Sequence, residues 1–146
     1  MGVRGALKTI YAETETDILV PFHDVDMMMV AWHGHYVKYF EVARCELLDT
    51  LQYGYNDMVQ SGFAWPVIDL AVRYVKPARF GQWISVHSAI VEYENRLKID
   101  YIIRDKNTGE KLTKGHTVQV AVKVDSHEMQ FESPAILAQR LGLSQQ

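Results

Sequence analysis

Cysteine is nearly absent. Among 146 residues there is one, Cys45, so no disulfide can close within the chain. Its place in a helical pattern reads as a small buried side chain rather than a nucleophile, and it suits a reducing compartment. Long apolar runs are missing as well. Arg4 and Lys8 stand near the start, but no apolar run is long enough for a signal peptide or a membrane span. Met1-Gly2 is followed by Ala6 where a myristoylation signal wants Ser or Thr. Positive charge is not in excess either: the formal net charge of −3 gives no reason to expect a nucleic-acid partner. Internal repeats, low-complexity segments and linkers are all lacking. These absences predict one soluble, cytoplasmic domain over residues 1–146.

What is present is an ordinary globular composition, 48% apolar and 23% charged. Residues 1–13 are weakly patterned and read as a loose arm. Residues 14–22 are β-prone, with Pro21 near the end of a first strand. Tyr36, Val37, Phe40, Ala43, Leu47, Leu48 and Leu51 then fall at three-four spacing, the mark of a helix with one buried stripe. Gly54 is the expected C-terminal cap. Strands are expected over 64–75, 82–94, 96–104 and 110–124. Lys76–Gly81 forms a loop, Asp105–Gly109 a hairpin turn, and Asp125–Glu128 a turn. On the 110–124 strand, Leu112, Val118, Val120, Val122 and Val124 share one face. A last short helix follows, with Ser133 as N-cap and Pro134 at its first position. Strand, long helix, then a run of antiparallel strands is an α+β order, with one helix packed on one sheet.

The stretch from His23 to Arg44 carries the chemistry. A β-type segment runs into Asp24-Val25-Asp26, an apolar loop follows, and His33-Gly34-His35-Tyr36 opens the helix. A helix N-terminus offers unpaired backbone N–H groups, which suit a developing oxyanion. A carboxylate nearby can attack or activate water. An isolated Asp is more often a turn or cap residue, and a lone His more often bonds nearby backbone. His23 and His35 stay with that plainer role. His33-x-His35 is a weak metal signal, because zinc hydrolase motifs usually set two His one helical turn apart. No metal is expected.

The same stretch resembles the hotdog-fold thioesterases, closest to the 4-hydroxybenzoyl-CoA thioesterase subfamily with its Tol-Pal-associated members. The resemblance rests on Asp24-Val25-Asp26, Val30-Ala31-Trp32-His33, Tyr36 and Tyr39-Phe40-Glu41-Val42-Ala43-Arg44. Tyr74-Val75-Lys76-Pro77 and Phe80-Gly81 extend it, so that it covers roughly residues 14–140. It implies a curved antiparallel sheet around a long central helix, and an acyl-CoA thioesterase without a cofactor, coenzyme A being part of the substrate. Asp26 aligns with the catalytic Asp, as nucleophile or general base. The His33 N–H aligns with the oxyanion donor, and the His33 side chain is a further catalytic candidate. Asp24 reads as structural, with the proviso that two close carboxylates raise one pKa. Gly34, Tyr36, Arg79, Arg96 and Lys98 are candidates for substrate binding, the cations for the coenzyme A phosphates. Active sites between subunits imply a homodimer or homotetramer. Trp65, Trp83 and the methionines are candidates for a channel lining, though such residues are more often core or interface.

Two departures stand out. Met27, Met28 and Met29 occupy positions where relatives carry small residues or glycine, which suggests a narrower or more apolar pocket. His35 stands where many relatives have Asn or Ser. Other readings are hydrolysis of an acyl group on acyl carrier protein, a non-catalytic acyl-CoA- or partner-binding module, and, last, a hotdog dehydratase.

Overall fold

The computed structural model describes residues 8–143. Five long strands form one curved antiparallel sheet in the order β1-β4-β5-β6-β3. They are β1 (Ala12–Leu19), β3 (Val67–Tyr74), β4 (Trp83–Glu92), β5 (Leu97–Asp105) and β6 (Lys111–Gln119). Two short strands, β2 (Phe63–Ala64) and β7 (Val122–Lys123), pair with each other. Helix α1 (His35–Thr50) packs on the long sheet; α2 (Tyr55–Gln60) and α3 (Ala135–Arg140) are one to two turns each.

The predicted stripe is the buried face of α1: Tyr36, Phe40, Ala43, Leu47 and Leu48 are buried, joined by Tyr39. The predicted face of β5 meets them, with Leu97, Ile99, Tyr101 and Ile103 all buried. Burying a side chain such as Phe40 or Leu47 contributes about 1.5–3 kcal/mol. Phe40 stacks on Tyr101 with ring centroids 4.4 Å apart and planes 10° from parallel. Gly115 makes this approach possible: a Cβ there would stand 2.8 Å from the Phe40 ring and 2.2 Å from the Ala71 carbonyl oxygen.

Several expectations are corrected. Ala12 and Glu13 pair with Ile90 and Ala89, so the end of the supposed arm belongs to β1. Residues 1–7 of that arm lie outside the described residues. The first strand stops at Leu19, and Phe22–Asp24 is a 3-10 turn behind Pro21. Gly54 does not end α1. Gln52 takes the left-handed position at φ 58°, and the Tyr53 N–H returns to the Leu48 carbonyl. Gly54 instead precedes α2, its N–H donating to the Asp57 carboxylate at 3.1 Å. Cys45 is exposed, since it sits off the buried stripe. Trp65-Pro66 splits the 64–75 run into β2 and β3, and the 110–124 run divides into β6 and β7.

The apolar row on β6 is corrected too. Register sets Thr113, Gly115, Thr117 and Gln119 beside Ile103, Tyr101, Ile99 and Leu97. The helix-facing row of β6 is therefore polar or small, and Val124 is exposed. A register slip between Ile103 and Arg104 moves Leu112 out of simple alternation. Thr117 satisfies its hydroxyl on Tyr101 at 2.8 Å. Ser133 is not a cap: α3 begins behind Pro134, and the Ser133 Oγ has no partner among the described residues.

Candidate active site

Asp24 to Trp32 fold back on themselves. The Trp32 N–H donates to the Asp24 carbonyl at 3.0 Å, and the Asp26 N–H to the Val30 carbonyl at 3.0 Å. Between them the Met29 N–H reaches the Asp26 carbonyl, and the Met28 N–H reaches Asp26 Oδ1 at 2.8 Å. The result is a hairpin with an Asx turn at its tip. Met29 has φ 63°, the left-handed region that favours glycine. This backbone explains why the resemblance leads one to expect a small residue in the tip. The hairpin leans on 78–80: the Ala31 N–H donates to the Ala78 carbonyl, and the Phe80 N–H to the Met29 carbonyl.

Beyond Trp32 the chain turns directly into α1, with Gly34 at the N-cap position. The Trp32 indole lies over Gly34 so closely that a Cβ there would meet the ring at 2.1 Å. The His35 N–H is taken by the Trp32 carbonyl and the Tyr36 N–H by the His33 carbonyl. Among the described residues, the His33 and Gly34 N–H groups have no acceptor.

A cleft of about 250 Å³ opens here, lined chiefly by Asp26, Val30, His33, Tyr36, Tyr74 and Lys76. The fold thus brings Asp26, His33 and Tyr36 together, with Gly34 adjoining them. Tyr36 is buried, and its hydroxyl accepts the Ala78 N–H at 2.8 Å. Tyr74, from the edge strand β3, donates its hydroxyl to the His33 carbonyl at 2.8 Å, fixing the turn that leads into the helix. Sequence reasoning did not nominate Tyr74 for the site. Its signal was the Tyr-Val-Lys-Pro segment, which only strand pairing carries to the cleft. Met27 and Met28 are 97% and 76% exposed and do not line this chain's own cleft, so the narrowing expected of them is not seen within one chain. Trp65 is buried and donates its indole N–H to the Tyr53 hydroxyl, whereas Trp83 is exposed beside Lys106.

The cations are dispersed. Arg79 is bridged through its backbone to Val30, beside the cleft but not in its lining. Arg96 and Lys98 lie beyond the other end of β4, whose ten residues span about 30 Å. The Arg96 guanidinium is engaged with Glu92, at 2.6 and 3.2 Å. Arg96 and Lys98 are therefore not brought to this chain's own cleft.

The two aspartates have opposite surroundings. Asp26 is exposed, whereas Asp24 is 1% exposed. Asp24 Oδ1 takes the Lys38 ammonium at 2.5 Å and Oδ2 takes the Tyr39 hydroxyl at 2.8 Å. His23 and His35 stand 3.6 and 3.9 Å from Oδ1. Burial pushes the Asp24 carboxyl up, but hydrogen bonds from Lys38 and Tyr39 and the charges of Lys38 and His35 outweigh it. The carboxyl is held below the usual range. Asp24 is therefore not a carboxyl raised by its neighbour. Tyr39 is pushed well above the usual phenol range by burial and by its hydrogen bond to Asp24. Among the described residues, no cluster of three or more His, Cys, Asp or Glu side chains could hold a metal ion. No helix among them is long and apolar enough to cross a membrane.

The sheet around one long helix and the acidic hairpin at that helix's start define a hotdog-fold protein of the thioesterase class. A profile of the thioesterase-like superfamily matches residues 20–141, and the chain belongs to that family. A Bacillus subtilis protein named "Putative acyl-CoA thioesterase YneP" is 32% identical over 80 residues, which are 55% of this chain and 58% of that protein. The match thus spans less than two thirds of that curated relative. The solved DHNA-CoA thioesterase of Staphylococcus aureus is 31% identical with a TM-score of 0.73, covering 80% of this chain and 78% of that one. Slr0204 of Synechocystis, a 1,4-dihydroxy-2-naphthoyl-CoA thioesterase, superposes with a TM-score of 0.80 over 89% of this chain and 96% of its own. At 17% identity that likeness shows the fold alone.

Proposed function

We propose that the protein is an acyl-CoA thioesterase that hydrolyses a thioester to a carboxylate and free coenzyme A. The observation that carries this reading is one cleft holding the Asp26 carboxylate beside His33, at a helix start whose His33 and Gly34 N–H groups lack acceptors among the described residues. Asp26 acts either as general base or as nucleophile. As base it takes a proton from water while the water oxygen bonds to the thioester carbon. As nucleophile it forms an acyl-carboxylate anhydride that water then opens. In both routes the carbonyl oxygen gains negative charge against the His33 N–H, and collapse breaks the C–S bond. A thiol of ordinary pKa, about 8.5, leaves readily as thiolate, so the leaving group needs little acid assistance. One oriented N–H donor at such an oxyanion is worth roughly 100- to 1,000-fold in rate. The His33 side chain, exposed at the mouth, is available to orient water or donate a proton.

The assembly is part of the proposal. Strand β3 ends the sheet and leaves Val67, Ile68, Leu70 and Tyr74 exposed. A second copy pairing along that edge would cover them, giving a homodimer or a pair of dimers. In such an assembly Arg96 and Lys98, remote from their own cleft, would meet the phosphates of coenzyme A bound at another subunit, and Arg79 those at its own. The location proposed is the cytoplasm. The acyl carrier protein route stays as the alternative carrier.

Thiol release from a panel of acyl-CoAs, including 1,4-dihydroxy-2-naphthoyl-CoA because two structural relatives are named for it, tests the reading. Asp26→Asn lowers turnover by roughly 100- to 10,000-fold if the carboxylate is the base or nucleophile. Turnover that survives this change would exclude Asp26. Binding of coenzyme A esters without thiol release would replace the enzyme by a binding module.

A further inference from the structure

We propose that Asp24 is a positioning residue for the thioester reaction: it fixes the hairpin that carries Asp26 to the helix start that carries the oxyanion N–H groups. The inference rests on the thioesterase reading and adds a residue to it. Asp24 meets both partners of that geometry. Its backbone carbonyl accepts the Trp32 N–H and so closes the hairpin at its base. Its side chain takes Lys38 and Tyr39, both from the early turns of α1. Asp26 lies just beyond Asp24 on one arm, and His33 directly follows Trp32 on the other. The spacing between the Asp26 carboxylate and the His33 N–H therefore depends on how the hairpin hangs on the helix, and Asp24 is the side chain that joins the hairpin to the helix itself.

A merely structural contact made by a buried carboxylate is a costly way to hold two segments together, because that charge loses its water even when its cation, like Lys38, stays half exposed. Here the fold keeps one carboxylate at 1% exposure and gives both of its oxygens partners, two residues from another carboxylate left exposed. Geometry is what such a clamp adds, because a reacting pair misplaced by about 1 Å loses on the order of 100-fold in rate. Asp24 touches no reacting atom in this scheme. It acts through the segments it joins.

The test uses the full chain with Asp24→Asn, Lys38→Met and the double variant. The Asn variant keeps an acceptor for Tyr39 and removes the charge that Lys38 meets. The readouts are kcat and KM for the best acyl-CoA, thermal melting, and the backbone amide NMR signals of His33 and Gly34. The expected result is a kcat lower by about 10- to 100-fold with KM within about threefold, in variants that remain folded. The double variant should be no worse than Asp24→Asn, and the two amide signals should move. If Asp24→Asn fails to fold, the half-exposed Lys38 gives the same reading from its own variant. Unchanged kcat in a folded variant overturns the proposal, as does a loss that raises KM alone. If the native protein releases thiol from no ester, the thioesterase reading fails by itself. The amide signals then decide whether Asp24 holds the hairpin to the helix, and unmoved signals overturn that as well.

Discussion

Asp24 with Lys38 and Glu92 with Arg96 are carboxylate–cation pairs at opposite ends of the sheet. In each the cation is about half exposed, at 44% for Lys38 and 45% for Arg96. The carboxylates differ: Asp24 is 1% exposed and Glu92 43%. Both carboxyls are held below their usual range. For Glu92 the leading cause is the hydrogen bond from Arg96, opposed by burial and aided by the charges of Arg96 and Lys98. For Asp24 the leading influence is burial, which works the other way and is overcome by several partners together. The same pair chemistry is thus a solvated surface contact at one end and a demanding internal one at the other. Only the second sits where a shift of the backbone alters the cleft.

The largest expected effect is on the buried pair. Lys38→Met leaves the Asp24 charge inside the fold without its cation, and should lower stability by about 2 kcal/mol in urea unfolding. The loss is below that of a fully buried pair because Lys38 is half exposed. Next comes pH. Because the folded-state pKa of Asp24 is depressed, its contribution is fully present above the ordinary Asp value of about 4 and is lost as pH falls through the folded-state value. The stability gap between the native protein and Asp24→Asn should be present at about pH 5 and close as pH falls further. A gap that widens below about pH 5 would contradict the assigned direction. The smallest effect is at the far end: Arg96→Ala should cost less than about 1 kcal/mol, and that cost should fade in molar salt. A loss at Arg96 equal to that at Lys38 would erase the distinction between the two ends.

Much of the fold was legible because it follows periodicity. The α1 stripe from Tyr36 to Leu48 and the Leu97–Ile103 face each repeat at the period of their own element. The two aspartates were legible as a motif, but their division of labour was read through resemblance alone. Nothing within Asp24-Val25-Asp26 states which carboxylate meets Lys38 and Tyr39. Those partners lie a hairpin away. The polar row on β6 was missed because alternation was counted through Leu112, where the register slips. Tyr74 was missed because its partner, the His33 carbonyl, is 41 residues distant.

By itself the sequence determined the α+β class, the span of the long helix and the acidic stretch before it. Each of these depends on the order and spacing of nearby residues, which survive in any conformation the chain takes. The tertiary structure decided that Asp24 is buried and Asp26 open, that Gly115 lets Phe40 lie on Tyr101, and that Arg96 and Lys98 are far from their own cleft. These depend on strand order and on the water excluded when helix meets sheet. Burial and charge pairing are properties of neighbours in space, and neighbours in space are chosen by the fold.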